Sequence, residues 1–135
     1  EVIGWTNGAA IVGPGSPFPP VDHGGVRRRI GQGNNVFIFP GVGLGATAVH
    51  ARWLPDAAFA AASDALVECT QSMAAGDEAI YPPLGTLRQV SREVAVAVAK
   101  ALVAEGAADP LSEVEIEQRV DASIWTPDYL PYRPA

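Results

Sequence analysis

The residues with the most chemical reach lie in the run Gly31-Gln32-Gly33-Asn34-Asn35. Two neighbouring carboxamides at a helix entry offer donors and acceptors without titrating. With free helix N–H groups nearby, they could hold a carboxylate or another carboxamide. The same pair could instead cap its own backbone as ordinary turn residues. The residues alone favour that plainer role.

Other candidate chemistry is thinner. Gly41-Val42-Gly43-Leu44-Gly45 suggests a phosphate cradle. However, the dinucleotide fingerprint needs its third glycine one place later and an acid about 20 residues on. Glycines that let a helix approach its neighbour are the better reading. His23 and His50 each lack a partner at ligand spacing, so no metal site is expected. Ser16 sits between Gly15 and Pro17 with no base in view. The basic run Arg27-Arg28-Arg29 could meet a phosphate, but beside Gly24-Gly25 it reads first as a solvated loop. Cys69 is the only cysteine. It falls inside a helical pattern with no cation near it in sequence, so a packed, unreactive thiol is expected.

The elements that must position these groups are mostly helical. Ala9 to Val12 is a short apolar run stopped by Gly13-Pro14-Gly15-Ser16-Pro17 and predicts a buried strand. Gly13 to Gly33 predicts a long ordered loop, rich in Gly and Pro. Asn34–Phe39 predicts a turn. A helix then begins near Pro40 and runs through Val42, Leu44, Val49 and Trp53. Pro55 to Met73 places Phe59, Ala62, Leu66, Cys69 and Met73 on one helical stripe. Thr86 to Gln89 has capping-box spacing, and Leu87, Val90, Val94, Val98 and Ala101 form the next apolar face, stopped at Gly106. A second box at Ser112 to Glu115 opens a short helix to about Ala122. The tail from Trp125 to Arg133 is extended and aromatic. About four helices and one or two strands make a poor sheet, so the strand expects neighbours that this stretch does not supply.

Composition sets the outer limits. Of 135 residues, 48% are hydrophobic and 18% charged, which is globular rather than disordered usage. The net charge of −6 argues against nucleic acid or an anionic membrane as partner. No apolar run approaches the roughly 20 residues of a membrane span, and Glu1-Val2-Ile3-Gly4-Trp5 is no secretory signal. The expectation is a cytoplasmic protein, with Glu1 marking a processing or cleavage point.

Three blocks in order carry a family resemblance: Gly15-Ser16-Pro17-Phe18-Pro19-Pro20-Val21, then Ile30-Gly31-Gln32-Gly33-Asn34-Asn35, then Phe37-Ile38-Phe39-Pro40-Gly41-Val42-Gly43-Leu44-Gly45. Together they resemble the signature of malic enzymes. Tyr81-Pro82-Pro83-Leu84, Gln89-Val90-Ser91 and the closing Trp125 to Tyr132 resemble later segments of the same family, most closely the bacterial NAD-using members. The resemblance implies an α/β fold: the C-terminal part of a Rossmann-type NAD-binding domain over 1–106, mostly helical with one or two short strands. A terminal helix and aromatic tail over 107–135 would complete it. It implies Gly15 at a strand end beside the nicotinamide, and Asn34 and Asn35 facing the malate carboxylate and nicotinamide. Pro14 departs from the small residue expected before that glycine.

The resemblance also implies what is missing. The family's Tyr and Lys acid–base pair, its Mg²⁺ or Mn²⁺ ligands, its dinucleotide glycines and the Arg that grips malate all belong upstream. No catalytic or metal-binding residue is expected here, and no cofactor is expected to stay bound to this stretch alone. The full enzyme would convert malate to pyruvate and CO₂ while reducing NAD or NADP. The fragment would be inactive, and its bare apolar faces would favour a homo-oligomer. Two rivals stand beside this reading: a malolactic enzyme, and a non-catalytic module whose aromatic tail docks a partner.

Overall fold

The computed structural model describes residues 1–73 and 79–128. In chain order the elements are α1 (Val2–Trp5), β1 (Val21–His23), β2 (Val26–Arg28), α2 (Phe39–Ala48), α3 (Asp56–Met73), α4 (Leu87–Ala104) and α5 (Glu113–Ser123). Single 3-10 turns at Asn35–Phe37 and Leu84–Thr86 lead into α2 and α4.

The core is built around α4. Val90, Val94, Val98 and Leu102 follow one another at four-residue steps on its face, and all are fully buried. Each such side chain contributes about 1.5–3 kcal/mol when taken out of water. α2 and α3 pack along α4, and α5 leans on both α2 and α4. From α3 the buried set is Ala58, Ala62, Ala65, Leu66 and Cys69. Small residues there bring α3 close to α4. Phe59, expected on the buried stripe, is 41% exposed because the stripe turns through Ala58 instead.

The helix ends follow local chemistry. Ser112 Oγ accepts from the Glu115 N–H while the Glu115 carboxylate accepts from the Ser112 N–H, so the expected capping box opens α5. α4 ends where Gly106 takes φ +70°. The Ala107 N–H then returns to the Leu102 carbonyl and the Gly106 N–H to that of Val103, a Schellman closure. Arg52 reaches across to this corner, donating to the Gly106 carbonyl and to Asp109, both at 2.8 Å.

Four expectations change. Ala9–Val12 forms no strand, and Ile11 is 66% exposed. Among the described residues the only strand pairing is that of β1 with β2, and an apolar run without a paired strand cannot satisfy its backbone groups in a sheet. The two strands lie instead inside the expected long loop, as an antiparallel hairpin pairing Val21 with Arg28 and His23 with Val26. Gly24 and Gly25 take φ +59° and +78°, the pair of left-handed residues that a tight two-residue hairpin demands. The helix from Phe39 stops at Ala48, leaving Val49 as its cap and Trp53 outside it. The box at Thr86–Gln89 does not form: the Thr86 hydroxyl donates to the Pro83 carbonyl at 2.7 Å, and the preceding 3-10 turn supplies the start of α4. Of the aromatic tail, Trp125–Asp128 is described and carries no helix or strand; Tyr129 onward lies outside the described residues.

Candidate functional site

Asn34 sits in extended backbone, and its side-chain oxygen accepts from the Val36 N–H at 3.0 Å. It therefore caps the turn that carries Asn35 and Phe37. That uses one of the four hydrogen-bonding positions of the amide and leaves the others for a second partner. Asn35 is exposed beside it. Phe37, next in the turn, is buried and stacks on Tyr81 with ring centroids 6.0 Å apart.

The Gly15 segment lies against this turn. The Gln32 side-chain amide donates to the Gly15 carbonyl at 3.0 Å, and the Gly33 N–H donates to the Pro14 carbonyl at 2.8 Å. Two cross-links thus tie residues 14–15 to residues 32–33, immediately before the amide pair. Gly15 itself is exposed, and a side chain added there would meet nothing within 4 Å.

Asn34 and Asn35 form part of the wall of a cleft of about 730 Å³. Gly33, Ile38 and Tyr81 also line it, together with Ser63, Leu66, Val67 and Thr70 of α3. The cleft is mainly apolar, with polar groups at a few points, as small-molecule sites usually are. The amide pair is its neutral hydrogen-bonding edge. Such an edge can orient a carboxylate or carboxamide, but it cannot itself donate or remove a proton at neutral pH.

The other candidates disperse. Among the described residues, no three His, Cys, Asp or Glu side chains converge as a metal-holding group. His23 lies on β1 against Gly8, and His50 takes a left-handed φ of +51° after α2. Arg27 pairs with Asp22 across the hairpin at 3.6 Å, and Arg29 donates to the Tyr81 carbonyl at 2.9 Å. The basic run is thus partly spent on structure. Cys69 is buried against α4, and burial first, then Glu93 and Glu68, pushes its thiol upward. That is the opposite of an activated nucleophile. Gly41 and Gly45 do permit close packing: a Cβ at either would fall within 2.6 Å of α4 atoms. Ser63 and Thr70 on α3 and the ring of Tyr81 were not among the sequence candidates. Sequence spacing carries no sign that they face a turn some 30 to 45 residues earlier.

Known proteins resemble this chain over nearly its whole length. The profile for the malic enzyme NAD binding domain matches residues 1–103. An NAD-dependent malic enzyme of Pseudomonas aeruginosa (strain LESB58) is 44% identical over 133 residues. That match takes in 98% of this chain and 24% of the relative. NAD-dependent malic enzymes of Aeromonas hydrophila and Aliivibrio fischeri are 42% and 41% identical over the same length and coverage. The chain therefore spans only 24% of the length of these relatives. No described helix is long and apolar enough to cross a membrane. The matched domain and the largely helical structure with two short antiparallel strands agree with the C-terminal part of an α/β, Rossmann-type unit.

Proposed function

The chain belongs to the malic enzyme family, and from that premise we propose that it supplies the amide-lined wall of a malate and nicotinamide site. The parent reaction is oxidation of malate to pyruvate and CO₂ with reduction of NAD or NADP. The observation that carries this reading is the pair of hydrogen bonds that joins Gly15 and Pro14 to Gln32 and Gly33, next to Asn34 and Asn35. It holds Gly15 next to the residues that precede both carboxamides, and the carboxamides themselves line a cleft sized for a small ligand.

Within that site the residues of this chain orient rather than react. The cofactor, when bound, accepts hydride from C2 of malate. Gly15 leaves room for a flat ring to lie against the backbone, and Asn34 and Asn35 fix the carboxylate and the carboxamide by neutral hydrogen bonds. Alignment of this kind can supply a large share of the rate of hydride transfer. The described residues do not fit a divalent metal, so no step is assigned to one here. The general acid and base are also assigned to other parts of the enzyme. Lys100, the one lysine, is held by Glu113 at 2.5 Å and lines a different groove, between α3 and α4.

The test uses a hybrid in which this segment replaces the matching 133 residues of the Pseudomonas aeruginosa relative. Malate-dependent NADH formation by the hybrid, with none from the isolated chain, is the expected result. Turnover by the isolated chain, or full activity in hybrids carrying Asn34→Ala and Asn35→Ala, would sink the reading. Lactate as product would reassign it to a malolactic enzyme. The exposed Trp5, Ile11 and Phe18 further lead us to propose self-association of the isolated chain. Light scattering that returns a clean monomer at high concentration would count against this part.

A further inference from the structure

Building on that site reading, we propose that Tyr81 is the positioning residue that sets the Asn34–Asn35 pair relative to the Gly15 segment. The two amides are bracketed by contacts to one ring. On their N-terminal side, a Cβ added to Gly33 would lie 3.2 Å from Cε2 of Tyr81 and 3.4 Å from its hydroxyl oxygen. On their C-terminal side, Phe37 stacks on the same ring at an interplanar angle of 13°. The segment of residues 13–15 meets it too, since a Cβ on Gly13 would lie 3.2 Å from Cε2, beside the Ile80 side chain at 2.6 Å. At the backbone, a Cβ on Gly31 would come within 3.1 Å of the Tyr81 nitrogen, and Arg29 donates to the Tyr81 carbonyl.

Gly33 is thus bare where the tyrosine ring fills the space, Gly31 is bare where the Tyr81 backbone passes, and at Gly13 the ring shares the space with Ile80, whose Cδ1 would lie 2.6 Å from an added Cβ. The hydrogen bonds from Gln32 and Gly33 to residues 14–15 bring the two segments together, but each is worth only about 0.5–1.5 kcal/mol net. The aromatic ring gives them a rigid backing. Its face and edge do this work, so the hydroxyl is dispensable.

The test is amide hydrogen exchange on the 135-residue chain as Tyr81→Phe, Tyr81→Ala and Gly33→Ala. Tyr81→Phe is expected to keep wild-type protection at Gly33, Val36 and Phe37. Tyr81→Ala should lower protection at those amides by about tenfold or more while leaving Val94 and Val98 of α4 unchanged. Gly33→Ala, which pushes the ring aside without removing it, should loosen the same three amides. The proposal is overturned if protection there survives both Ala variants, if α4 loosens equally, or if Tyr81→Phe behaves like Tyr81→Ala. The site reading fails separately, through unimpaired malate kinetics of Asn34→Ala and Asn35→Ala in the hybrid.

Discussion

A methyl group on Gly45 would fall 2.5 Å from the carbonyl oxygen of Ala95, closer than carbon and oxygen can approach without displacement. The backbones of α2 and α4 therefore meet directly at this crossing. Gly41 does the same one turn earlier, against Cβ of Val94 at 2.6 Å. The contact matters for function because α2 begins where the amide turn ends.

Gly45→Ala should accordingly destabilise the chain by about 1–3 kcal/mol, the usual cost of overpacking a filled core. Gly43, between them, faces open space. Gly43→Ala should stabilise by roughly 0.5–1 kcal/mol through helix propensity alone. Thermal or urea denaturation of the two variants checks the pair, and equal effects would contradict the backbone-to-backbone crossing.

Acid should unlatch α5 from α4. Arg92 grips Asp121 through two nitrogens, Nε to Oδ1 at 2.6 Å and Nη2 to Oδ2 at 2.9 Å. That hydrogen bonding, led by the Arg92 side chain, holds the Asp121 carboxyl below its ordinary 3.8. A depressed folded value means the stabilisation is complete above the unfolded value and lost as pH falls through the folded one. Asp121→Asn should therefore be less stable than wild type at neutral pH, with the difference closing below about pH 4. Equal stability at neutral pH would show the pair to be spectators, as many exposed ion pairs are, and a difference that persists unchanged to lower pH would show that it does not come from the Asp121 charge.

These elements differ in how readily the sequence showed them. Ser112 and Glu115 were legible because a capping box depends on residues three apart, and Val90, Val94 and Val98 because a helix face repeats locally. Asn34 and Asn35 were legible as a chemical pair, and their turn as a helix entry. The strand over Ala9–Val12 was misread because a strand exists only with a partner, and none is present among the described residues. The hairpin at Gly24-Gly25 carries a local signal, a two-glycine turn, but its strands are only three residues long and follow the proline-rich run of residues 14–20, which reads as loop. Tyr81 was invisible as a support for the amide turn, since its contacts reach back 44 to 68 residues, to Phe37 and Gly13. No periodic pattern encodes a contact of that range.

Cys69 should be inert while the chain is folded. It is 4% exposed, and burial together with two carboxylates disfavours the thiolate. Alkylation should then proceed only through opening, so its rate should rise steeply with denaturant and match the unfolding equilibrium. Prompt labelling by iodoacetamide in native buffer would reveal an access path that the packing of α3 on α4 does not show.

Asn34 offers the sharpest separation between a residue that caps and one that binds. Asn34→Ala removes the acceptor for the Val36 N–H and should cost about 1 kcal/mol of stability whichever role holds. Asn34→Asp keeps that acceptor, since a carboxylate caps as well as an amide, but places a negative charge at the cleft edge. Charges about 4 Å apart repel by ~1 kcal/mol in water and ~4 kcal/mol where the surroundings partly exclude it. If Asn34 faces the malate carboxylate, Asn34→Asp in the hybrid should therefore raise the KM for malate by roughly tenfold or more. Its melting temperature should stay near that of the unsubstituted hybrid. A capping residue with no ligand would give the other pattern: Asn34→Asp kinetically silent and Asn34→Ala merely less stable. Steady-state kinetics beside thermal melts of the two variants decide between them.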